Sequence, residues 1–139
     1  YSAIQGAYTA TLNDYVRSAL NFESDIVYEI LTGLYEGWDY SKHQNQYVNV
    51  AETLRSAMSK NPFLRVLVAN GYYDLATPYF ATEYTINHLE LDPALHANIV
   101  MTYYEAGHMM YVHEASLVQL SQDLAAFVRN SIGSIPATE

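Results

Sequence analysis

"FLRVLVANGYYDLATPYF", Phe63 to Phe80, is the stretch that decides the fold. Its opening, "FLRVLVAN", is a short apolar run rich in β-branched residues, set between Pro62 and Gly71. That pattern predicts a strand over 64–70, buried on both faces as in parallel sheets. Thr77-Pro78 then predicts a helix start, with Thr77 as N-cap and proline in the first helical position. The helix is expected over 78–90.

Downstream, "ANIVMTYYEA" predicts a second strand over 98–105, ending before Gly107. "VHEASLVQLSQDLAAFVRNS" carries Leu117, Leu120, Leu124, Phe127 and Val128 at helical spacing, which predicts a helix over 113–131. A strand–helix–strand unit of this length implies parallel strands.

Upstream, Tyr8, Leu12, Tyr15, Val16 and Ala19 predict an amphipathic helix over 8–20, and Tyr47, Val50, Ala51, Leu54 and Met58 a second over 46–60. Between them, residues 22–46 hold two glycines and the lone Trp38, which suggests a loop or cap element. The fold class is therefore α/β. Residues 1–61 form a cap- or insertion-like helical part and residues 62–139 a sheet-bearing part. Two parallel strands leave open edges, so the chain is expected to be the end of a larger sheet, cut from something longer. The same edge predicts association between copies.

Bulk properties exclude several functions. Six basic residues against fifteen acidic ones, a net charge of −9, argue against nucleic acid and anionic membranes as partners. The absence of cysteine removes disulfides, thiolate catalysis and Cys-based zinc sites. At 50% apolar residues a core can be buried, yet no apolar run reaches the length that spans a bilayer.

The chemistry gathers at the strand ends. Asp74 follows the first strand and His108 the second. In open parallel sheets ligands bind beyond these carboxyl ends. A carboxylate there can hold an imidazole in one tautomer and leave its other nitrogen as a general base. Gly71 and Gly107 are expected to let the chain bend sharply out of each strand. Asp74 is equally suited to a turn, and His108 to simple exposure. A metal reading of Glu105, His108, His113 and Glu114 also competes, though Gly107 breaks helical spacing there. His43, His88 and His96 read as surface residues. Tyr72, Tyr73, Tyr79, Tyr103, Tyr104 and Tyr111 either cover the sheet end or line an aromatic cleft.

"NGYYDLATP" fits G-x-x-D-x-x-x-P, and "AGHMMY" contains G-H-M. From about Pro62 to Phe127 the chain resembles the C-terminal part of the serine carboxypeptidases, α/β-hydrolases that remove C-terminal residues from peptides. The resemblance implies that Asp74 and His108 are the acid and the base of a Ser-His-Asp triad. It implies a peptide substrate, no cofactor and a secreted or periplasmic setting. The chain departs from many members at Tyr72, after the motif glycine, and at Met110 and Tyr111, after G-H-M; without cysteine it looks more like a bacterial-type branch. No G-x-S-x-G elbow occurs, and in this hydrolase order the serine precedes the acid. The nucleophile is therefore expected upstream of Tyr1, and the chain by itself is expected to be inactive. The competing class is a non-catalytic, tyrosine-rich binding module; a third is a small metalloprotein.

Overall fold

A computed structural model of the chain describes residues 2–28 and 32–133. Glu29, Ile30 and Leu31, within the expected cap element, lie outside the described residues, as do Tyr1 and 134–139. The chain divides into two compact units, Tyr1–Tyr47 and Val48–Glu139.

In the first unit, α1 spans Ser2–Ser18, beginning before the expected start at residue 8. It stops because Asn21 takes the left-handed conformation, φ 51°, and the Phe22 amide donates to the Val16 carbonyl. Asparagine tolerates that conformation, and helices commonly end on it. Two short 3₁₀ turns, Gly33–Gly37 and Ser41–His43, follow.

The second unit contains α2 (Ala51–Lys60), β1 (Val66–Gly71), α3 (Tyr79–Asn87), β2 (Ile99–Tyr104) and α4 (Glu114–Ile132). Helix α2 starts later than residue 46, because the Asn49 side chain accepts from the Ala51 amide and turns the chain there. Tyr47 and Val50 are accordingly exposed instead of joining the apolar face. Helix α3 ends at His88, and Glu90 at φ 50° redirects the chain. That turn drives Leu89 and Leu91 into a cluster with Met58, packed by Leu54, Leu64, Val66, Ile86 and Ile99. Met58 is 1% exposed and sits at the centre of this cluster.

Strands β1 and β2 pair in parallel, from Val66 opposite Ile99 to Gly71 opposite Tyr104. The molecule is thus a mixed helix and strand structure with a two-stranded parallel sheet, as the α/β pattern required. β1 is half-buried, not buried on both faces as expected. Each strand has only the other as neighbour among the described residues, so part of the strand surface stays open. A second cluster lies at the carboxyl end: Tyr104, Ala106 and Met110, with Leu120 of α4 packed against them. Tyr104 is wholly buried, and its hydroxyl donates 3.0 Å to Asp123 of α4. Burial, and then the Asp123 carboxylate, push this phenol up from its ordinary value. That tie anchors the end of β2 to α4 directly before the His108 loop.

Candidate functional site

The ladder continues past the strands. The Tyr72 amide donates to the Tyr104 carbonyl and the Tyr73 amide to the Ala106 carbonyl, each at 3.0 Å. The two exit loops therefore run side by side. Their approach explains Gly71, though not in the way its residue type first suggests. No glycine among the described residues has a positive φ. A Cβ on Gly71 would lie 2.5 Å from the Gly107 carbonyl oxygen and 2.6 Å from that of Ala106. Gly71 is there because two backbones touch. At Gly107 an added Cβ would meet only the Tyr73 carbonyl at an ordinary 3.8 Å. Neither glycine supplies a left-handed bend.

This seam brings Asp74 and His108 together. His108 Nδ1 lies 2.8 Å from Asp74 Oδ2. The Asp74 side chain is 4% exposed, that of His108 63%. Asp74 also serves as the turn residue its type suggested: Oδ1 accepts from the amides of Ala76 at 2.8 Å and Thr77 at 2.9 Å. Oδ2 accepts a second bond, from the Thr77 hydroxyl at 2.6 Å. The turn reading and the pair reading are both satisfied by one carboxylate.

The Thr77 hydroxyl, then the Thr77 amide, hold the Asp74 carboxyl well below the usual carboxylate range, against the opposing effect of burial; His108 and the Ala76 amide add to the lowering. Asp74 is an anion with acceptors only, so His108 Nδ1 carries the proton. In the neutral form of the ring, Nε2 then carries the lone pair, and the ring is exposed. A fixed acid behind an open imidazole is the arrangement that general base catalysis uses.

Other expected residues separate from the site. Thr77 does not cap α3. Pro78 occupies the N-cap position with no side-chain cap, because the threonine hydroxyl is committed to Asp74. His113 Nδ1 is 2.8 Å from the hydroxyl of Ser116, a buried residue in the first turn of α4. No cluster of metal-ligating side chains occurs among the described residues, and Glu105 and Glu114 are exposed. His88 and His96 are exposed and His43 is half-buried; His88 stacks on Tyr84 with ring centres 3.9 Å apart.

The tyrosines divide three ways. Tyr72 stacks on Tyr103 at 5.6 Å, with Tyr79 edge-on to both. The Tyr103 hydroxyl donates 2.6 Å to Glu83, and that bond with burial pushes its pKa up to about 12. Tyr104 is buried, while Tyr73 and Tyr111 face solvent.

Two supporting residues escaped sequence reasoning. One is Thr77 as a partner of Asp74; the D-x-x-T spacing was its available signal. The other is Asn70, whose buried amide donates to the carbonyls of Val68 and Thr102 at 3.2 Å, bridging the strands. Nothing in the sequence distinguishes it from an ordinary strand-end asparagine.

Comparisons of the chain with protein-family models, with characterised proteins and with solved structures returned no match.

Proposed function

We propose that this chain supplies the acid and the base of a Ser-His-Asp triad in a serine carboxypeptidase-like α/β-hydrolase. Asp74 orients His108 and balances its charge. His108 takes the proton of a serine hydroxyl, then returns it to the leaving amine. The serine comes from outside residues 1–139. The observation that carries the reading is the 2.8 Å bond between buried Asp74 and exposed His108, set at the carboxyl ends of two paired parallel strands. The motifs G-x-x-D-x-x-x-P and G-H-M support it from the sequence side. The remainder of the parallel sheet would pair along the open strand edges.

The test has two arms. Residues 1–139 alone should neither release C-terminal residues from blocked peptides nor react with a serine-directed fluorophosphonate. Within the full reading frame, His108→Ala should lower kcat/KM by about 10⁴-fold or more, as loss of a triad member does. Full activity in that folded variant overturns the assignment, and stoichiometric labelling of the isolated chain overturns the external nucleophile.

A second reading is a non-catalytic interaction module. It is favoured by apolar side chains in solvent beside the pair, Leu75 at 94% exposure and Tyr73 at 66%. It is also favoured by the hydrogen bonding of His108, which engages Asp74 and no hydroxyl among the described residues. Absence of peptidase turnover in the full reading frame, with the Asp74–His108 bond intact, would select it.

A further inference from the structure

We propose that Thr77 is a positioning residue for the pair: its hydroxyl and amide clamp both oxygens of Asp74 and so aim Oδ2 at His108. The proposal rests on the triad reading above and names a further residue of the same site.

A carboxylate turns easily about its Cβ–Cγ bond, because that torsion is broad and roughly two-fold. Donors on Oδ1 alone leave it free to pivot about that oxygen, carrying Oδ2 away from the imidazole. Here the Thr77 amide holds Oδ1 at 2.9 Å while the hydroxyl of the same residue holds Oδ2 at 2.6 Å. One residue grips both ends of the carboxylate, so the pivot is blocked. The Ala76 amide reinforces Oδ1 only.

Thr77 is itself a stiff support. Its β-branched side chain has few χ1 choices. Pro78, at φ −58°, disfavours a helical backbone for the residue before it. The hydroxyl is also drawn away from a competing role. Threonine before the first turn of a helix ordinarily caps it, yet α3 begins without a side-chain cap. The capping group has been spent on Asp74. Hydrogen bonding to the charged form favours it, so the same hydroxyl keeps Asp74 an anion while His108 changes protonation.

The experiment uses residues 1–139, isotopically labelled, and needs no turnover. Long-range ¹H–¹⁵N spectra read the His108 tautomer, and carboxyl ¹³C shifts read the Asp74 titration. Thr77→Val removes the hydroxyl at similar volume, and Thr77→Ser keeps it. In Thr77→Val the Asp74 midpoint should rise by about one pH unit, a tenfold gain in proton affinity. His108 should pass from the Nδ1–H tautomer to a mixture. Thr77→Ser should restore the wild-type values of both. If circular dichroism shows the valine variant unfolded, Thr77→Ala against Thr77→Ser makes the same comparison. A hydroxyl-free variant with wild-type titration and tautomer overturns the proposal. Failure of the pair looks different: Asp74→Asn would then leave the His108 tautomer unchanged, which removes the triad reading and the clamp together. A clamp that holds while turnover survives His108→Ala removes the triad reading alone.

Discussion

The two exit loops run side by side, joined by the Tyr73–Ala106 backbone bond and the Asp74–His108 pair, and differ in almost everything else. The Tyr72–Pro78 loop buries its functional side chain and gives it three donors besides histidine. The Glu105–Met109 loop leaves its functional side chain 63% exposed, with Asp74 as its partner. Asp74 belongs to the architecture; His108 is presented by it. A proton-transferring group must reach its substrate, whereas the group that orients it must not move. Stability and chemistry are therefore expected to separate between the loops, and three substitutions test that division.

The largest effect is expected at the seam both loops share. Gly71→Ala places a Cβ 2.5 Å from a backbone oxygen that cannot swing aside as a side chain would. The cost should be about 1–3 kcal/mol, typical of overpacking, read as a lower urea midpoint. A midpoint within error of wild type would show that the loops can part freely.

Asp74→Asn comes next, and its effect depends on pH. The folded carboxyl lies below its ordinary value of 3.8, so its contribution is present above that value and is lost as pH falls through the lower folded one. Wild type should be more stable than Asp74→Asn near neutrality. The gap should narrow as pH drops below about 4, because the carboxyl of the unfolded chain then takes up a proton that the folded Asp74 accepts only at still lower pH. Parallel stability curves for the two proteins down to pH 2 would show that Asp74 is not held as an anion.

His108→Gln should change stability least, by about 0.5 kcal/mol or less, as exposed substitutions usually do. A destabilisation equal to that of Asp74→Asn would erase the contrast between the loops.

Much of this candidate site is legible in the amino-acid sequence. Apolar runs at 64–70 and 98–105 marked the strands to within two residues, because a continuous apolar segment flanked by proline and glycine has few other uses. Asp74 and His108 followed from the rule that parallel strands deliver their exits to one edge. What escaped was the local competition for donors. The Thr77-Pro78 pair signals a helix cap, and that signal masked the competing D-x-x-T spacing, by which the carboxylate three positions earlier claims the hydroxyl. Gly71 was marked as special for the wrong cause. A backbone that turns and a backbone that is touched both require glycine, and a one-dimensional pattern cannot separate them. The start of α2 was missed for a similar reason: Asn49 outbid helical periodicity at Tyr47 and Val50 with a single side-chain bond.

The contact at Gly71 has a mechanical consequence. Where two backbones meet with no side chain between them, there is little slack for one to slide on the other. The spacing of Asp74 and His108 is then set where the two loops touch, at the sheet's end.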